Sequence, residues 1–226
     1  MTPAAPCRLG VVALGDSITV GDGSMALGVT PLSWAQWLAR TLDLAFTSYA
    51  FDGATAGDVL HEQVPRVRSE YDVGALYVGV NDVRGPAFHP AAYERDLADV
   101  ATGLAARAER LLLLTLPHDL GRPTSAPKPQ AANAIVRRVA AAHGAAVADL
   151  ADFGGWTNVL PDMVHPTAVG QVEIADRAAR ALGGDFLPSA LVADRRCADV
   201  RHVPAHGREL ARDLVRRALE RAKPPG

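Results

Sequence analysis

Ser17, in the run Gly15-Asp16-Ser17-Ile18, follows directly on the apolar stretch 9–14, so a serine stands where a buried strand stops and the chain turns. A serine there can serve as a nucleophile. Open α/β sheets bind ligands at the carboxyl ends of their strands, and Gly15 permits a sharp turn that presents the hydroxyl to a cleft. The ordinary alternative is that Asp16 or Ser17 caps a helix. A nucleophilic serine needs a base to take its proton, and the base needs an acid to orient it. Among the seven histidines, His165 stands out in Asp162-Met163-Val164-His165-Pro166. Asp162, three residues earlier on one irregular turn, can reach Nδ1 and leave Nε2 free to face the serine. The competing reading makes His165 a helix-entry residue, with Pro166 opening the helix.

An acyl-transfer intermediate also needs hydrogen-bond donors aimed at its oxyanion. Asn81, in Gly79-Val80-Asn81-Asp82, follows a third apolar run and could point its amide into the cleft. Gly53, in Asp52-Gly53-Ala54-Thr55, follows the second and could offer its N–H closely to a substrate. Asn-Asp and Asp-Gly are also common turn formers. The four segments gain weight together, because each falls after a different expected strand.

Positioning these residues requires a parallel sheet. Short apolar runs at 9–14, 44–50, 75–80, 111–116 and 145–150 read as strands. Helix-like segments at 32–42, 58–68, 91–108, 129–142 and 167–182 lie between and after them. That alternation predicts a doubly wound α/β fold, about five parallel strands in a three-layer α/β/α arrangement. All four candidate segments then converge at one sheet edge. The loops 20–31, 83–90, 120–129 and 153–161 share that edge and would select substrate. Met25, Leu27, Phe88 and Trp156 could form a short apolar wall or simply pack, and Arg84 could hold an anionic group or lie solvated.

With these residues in view, the chain resembles the SGNH hydrolases, or GDSL esterase/lipase family, over about residues 9–182. The four family blocks occur in order as Gly-Asp-Ser-Ile with Ser17, Gly-Ala-Thr-Ala-Gly with Gly53, Gly-Val-Asn-Asp with Asn81, and Asp-Met-Val-His-Pro with His165. Ile18 replaces the family leucine, and the second block lacks the asparagine often found before its glycine. The resemblance implies the flavodoxin-like SGNH fold and a serine esterase. Ser17, Asp162 and His165 would be catalytic, and Ser17, Gly53 and Asn81 would form the oxyanion hole. The Gly-x-Ser-x-Gly elbow of other serine hydrolases is lacking, since residue 19 is threonine. Esters of small or medium acyl groups are the expected substrates, through an acyl-serine. Passing the acyl group to another acceptor would make the protein an acyltransferase, and a non-catalytic binding protein of the same fold is the third reading.

Bulk properties narrow the remaining classes. The 226 residues are 49% hydrophobic with a net charge of −2, which suits one soluble domain and argues against nucleic acid as a partner. Cys7 and Cys197 form no metal or redox motif, so no metal or other cofactor is expected. No secretory segment or membrane-spanning run is present, which suggests a cytoplasmic protein. From Arg195 onward, 9 Lys and Arg stand against 4 Asp and Glu, compared with 14 against 21 before it. The basic extension 184–226 carries an amphipathic segment at 207–223. It is expected to pack on the body, or else to bind a protein partner or a second copy.

Overall fold

The five apolar runs become the strands β1 (Val11–Gly15), β2 (Phe46–Ser48), β3 (Tyr71–Tyr77), β4 (Ala108–Leu114) and β5 (Ala146–Ala148). The structure is a computed structural model of the chain, and it describes residues 7–21, 29–121, 125, 127–192, and positions 207, 208, 211, 212 and 215. The strands form one parallel sheet in the order β2-β1-β3-β4-β5. β1 and β3 at its centre are paired residue for residue from Val11↔Val73 to Gly15↔Tyr77. Their side chains are almost wholly buried, as expected for strands covered on both faces.

Between the strands run α1 (Ser17–Val20), α2 (Trp34–Thr41), α3 (Ala56–Asp58), α4 (Val80–Arg84), α5 (Pro90–Ala105), α6 (Lys128–Ala142) and α7 (Ala168–Ala181). α2 and α7 pack together in one layer, while α3, α5 and α6 form the other. The chain therefore winds one way from β1 to β2 and the other way from β3 onward. The topological switch lies between β1 and β3, the place where ligands bind in open α/β sheets.

Several boundaries differ from the sequence reading for identifiable reasons. β3 begins at Tyr71 and ends at Tyr77, because Gly79, at φ +123°, breaks the strand and Val80 opens α4. β4 starts at Ala108, so the exposed Glu109 and Arg110 belong to its solvent-facing beginning. The segment 58–68 is no uniform helix: α3 runs into a π-helical turn, Val59–Gln63, and then a 3₁₀ turn, Val64–Arg66, that contains Pro65. Pro166 does not open α7. It pairs with Val159 in a β-bridge, and Thr167 caps the helix through its hydroxyl.

Beyond α7, a 3₁₀ turn, Pro188–Leu191, packs on α2 and α7, and the Ser189 N–H donates to Asp176 Oδ1 at 2.8 Å. The expected amphipathic segment 207–223 lies outside the described residues apart from the five positions named above. Cys197, Met25 and Leu27 lie outside them as well. Among the described residues, no helix is long and apolar enough to cross a membrane, and no cluster of three or more His, Cys, Asp or Glu could hold a metal ion.

Candidate active site

The end of β1 turns sharply because of Gly15. Its φ is +151°, and a Cβ there would run into the Tyr77 carbonyl and lie 2.6 Å from Thr19 Oγ1. Asp16 then caps α1, with Oδ1 accepting the Ile18 N–H at 3.0 Å, and Gly21 closes this single turn. Capping and chemistry thus fall to different residues, because the Ser17 hydroxyl is directed elsewhere. Ser17 Oγ lies 3.1 Å from His165 Nε2.

His165 reaches this point on an irregular segment that is tied down along its length. Asp162 Oδ2 lies 2.6 Å from His165 Nδ1, while Oδ1 accepts the N–H groups of Val164 and His165 at 2.9 and 3.1 Å. This tight turn puts Met163 in the left-handed region at φ +58°. The Met163 carbonyl accepts from Gly121, and the His165 carbonyl accepts from Leu160, both at 2.8 Å. Burial pushes the Asp162 pKa up, but the bond to His165, its charge and the two backbone N–H donors outweigh it. The net shift is downward. Asp162 is therefore an anion at neutral pH, suited to holding a proton on Nδ1 and leaving Nε2 to face the hydroxyl.

Asn81 is the second residue of α4 rather than a loop residue, and its Nδ2 donates to the Ala54 carbonyl at 3.0 Å. Asp82 beside it accepts the Ala56 N–H. These bonds stitch the turn after β2 to the start of α4, so Asn81 and Gly53 are neighbours. An amide nitrogen carries two hydrogens, and one of those on Asn81 is engaged by Ala54. Gly53 has φ +79° and is exposed, with open space where a Cβ would project. Among the described residues, the N–H groups of Ser17 and Gly53 have no acceptor.

The substrate-loop candidates are spread more widely. Arg84 ends α4 and is exposed, one helical turn beyond Asn81. Phe88 is half-buried, with its ring 5.7 Å from that of Tyr93. Trp156 is 53% exposed, in the loop that bridges to Pro166.

Two buried groups at the site go beyond the sequence reading, which takes Asp16 only as a candidate helix cap and does not single out Gln171. Asp16 is fully buried, Oδ2 has no hydrogen-bond partner among the described residues, and burial raises its pKa to about 7. Gln171 on α7 donates to the Ile18 carbonyl at 3.1 Å and accepts the Trp34 N–H at 2.8 Å, joining α1, α2 and α7. A buried glutamine in a helix has no local signature, because its role depends on distant backbone groups left unpaired by the fold.

A family model described as the GDSL-like Lipase/Acylhydrolase family matches residues 13–172. No curated protein sequence matches the chain. Among solved structures, an α/β hydrolase, LAE5, from the metagenome of Lake Arreo is similar at 21% identity. It covers 79% of this chain and 97% of its own, with a TM-score of 0.61. The acetylxylan esterase Axe2 of Geobacillus stearothermophilus is similar at 16% identity, covering 79% and 95%, with a TM-score of 0.62. A Slackia heliotrinireducens protein proposed to be an SGNH hydrolase is similar at 20% identity, covering 78% and 100%, with a TM-score of 0.61. The sheet and its helical layers are thus those of the SGNH hydrolases.

Proposed function

Since the chain belongs to the GDSL-like lipase/acylhydrolase family, we propose that it is a serine esterase that cleaves carboxylic esters of small or medium acyl groups through an acyl-Ser17 intermediate. One observation carries this reading: the unbroken path from Ser17 Oγ to His165 Nε2 at 3.1 Å and from His165 Nδ1 to Asp162 at 2.6 Å.

His165 accepts the Ser17 proton as the oxygen attacks the ester carbonyl, and the Asp162 carboxylate stabilises the imidazolium that forms. The N–H groups of Ser17 and Gly53 and the Asn81 amide hold the oxyanion. His165 then protonates the departing alcohol. A water molecule, deprotonated by His165, attacks the acyl-serine and releases the acid. These steps need no cofactor. Arg84, Phe88 and Trp156 are the side chains proposed to line the acyl or alcohol side of the cleft. A short acyl group is supported by the fold shared with Axe2, an acetylxylan esterase.

Turnover of p-nitrophenyl acetate, butyrate, octanoate and palmitate by wild type and Ser17→Ala tests the reading. The expected result is hydrolysis favouring the short esters, lost in the variant. Turnover that survives in Ser17→Ala, or a preference for palmitate, would overturn it. Adding competing alcohols measures transfer, and free acid as the dominant product is expected.

A further inference from the structure

β2 leaves the sheet before β1 does. Its last residue, Ser48, pairs with Ala13, and beyond it, among the described residues, the Tyr49 and Phe51 N–H groups reach β1, at 3.1 Å to Ala13 and 3.3 Å to Gly15. The Gly15 N–H, on the β2 side of the strand, has no strand partner there. A side chain takes that place. Gln63, fully buried at the end of the π-helical turn, accepts the Gly15 N–H on Oε1 at 2.9 Å and donates from Nε2 to the Gly15 carbonyl at 2.8 Å. Both bonds fall on the residue whose carbonyl begins the peptide to Asp16, with Ser17 next.

We infer that Gln63 is a positioning residue for the nucleophile: its amide replaces the missing β2 residue and fixes the Gly15–Asp16 peptide from which Ser17 is presented to His165. The inference rests on the reading of Ser17 as the nucleophile. Three contacts define the turn. Tyr77 packs on one side of Gly15, Thr19 lies below it, and Gln63 alone grips both of its polar backbone groups. Without Gln63 the Gly15 N–H is buried and unpaired and the Gly15 carbonyl keeps only the long bond from the Phe51 N–H, so the peptide rotates to find other partners and carries the hydroxyl with it. A displacement of about 1 Å at a reacting atom costs on the order of 10²-fold in rate. The fold supplies its own control. Asn133 grips Leu116, two residues beyond β4, in the same two-bond manner, at 2.7 and 2.8 Å, but no candidate nucleophile follows there.

The test compares Gln63→Met, Gln63→Glu and Asn133→Leu with wild type, reading ester turnover, the rate of labelling by a serine-directed phosphonate, and the urea midpoint. Gln63→Met is expected to lose roughly 10–100-fold in kcat and in labelling rate with KM little changed. Asn133→Leu should lose comparable stability yet label at close to the wild-type rate. Gln63→Glu adds a readout that a purely structural role would not move. A neutral carboxylic acid offers one acceptor and one O–H donor, as the amide does, whereas the carboxylate only accepts. The ratio of its labelling rate to that of wild type should therefore rise as pH falls, since the groups the two proteins share cancel in the ratio. Wild-type labelling rates in Gln63→Met, equal losses in Asn133→Leu, or a flat ratio for Gln63→Glu would overturn the inference. If Gln63→Met fails to fold, the Gln63→Glu ratio decides alone. Failure of wild type to label at Ser17 would instead remove the nucleophile reading itself.

Discussion

Ser17 and His165 lie 148 positions apart in sequence and 3.1 Å apart in space, so the residue scale is where chain order becomes chemistry. On the proposed mechanism, Asn81 acts only once the oxyanion forms. Asn81→Ala should therefore lower kcat on the order of 10²–10³-fold while KM stays near wild type. Steady-state kinetics on a short ester check this, and a rise in KM at constant kcat would assign Asn81 to ground-state binding instead. Asp162→Asn should lower kcat by roughly 10²–10⁴-fold with the fold intact, since the imidazole loses the anion that orients it and stabilises its cation. The local motifs around Ser17, Asn81 and His165 are legible in sequence because each is a short block, the first two directly after β1 and β3 and the third in the long segment between β5 and α7. Gln63, Gln171 and Asn133 were not. Their amides serve backbone groups orphaned by the three-dimensional path of other segments, and nothing in the flanking residues marks them.

At the scale of elements, the turn from β1 into α1 is the most constrained feature. Gly15→Ala would press a methyl group against the Tyr77 carbonyl and Thr19 in a backbone conformation that L side chains rarely adopt. A loss of about 1–3 kcal/mol or more is expected from denaturant unfolding; an unchanged midpoint would mean that the turn can relax. Strand and helix existence was readable from apolar runs and their spacing, whereas boundaries depended on contacts. Polar Asp72 hid the start of β3, yet its carboxylate accepts the Gly10 N–H at 3.0 Å and belongs to the strand. The π turn at Val59–Gln63 has no sequence signature apart from Pro65 shortly after it. The entry to α7 differs from the sequence reading for a related reason: Pro166 suits a first helical position, but Thr167 after it offers the better cap.

Over the whole molecule, the strand order puts the segments after β1 and β3 on either side of the switch point, and the same arrangement buries carboxyl groups there. Asp16 moves from 3.8 in the unfolded chain to about 7, chiefly through burial, and Asp82 to about 6 for the same reason. Folding then takes up protons between pH 4 and 7, so these two residues make the protein less stable as pH rises through that window. Asp162 has the opposite sign. Its stabilisation is present above its unfolded pKa and is lost only as pH falls through its lowered folded value. Asp16→Asn keeps a good helix cap and removes the buried charge. Relative to wild type it should gain on the order of 2–4 kcal/mol between pH 5 and pH 8. Urea midpoints at the two pH values check this, and an unchanged difference would show that Asp16 does not titrate in that window.

The central claim, that Ser17 attacks an acyl carbon with His165 as base, is tested most directly by peptide mapping after reaction with a serine-directed phosphonate. The account predicts one adduct, on Ser17, with its rate of formation greatly reduced in His165→Ala and no adduct in Ser17→Ala. An adduct on another serine, or labelling of Ser17 that is indifferent to loss of His165, would contradict it.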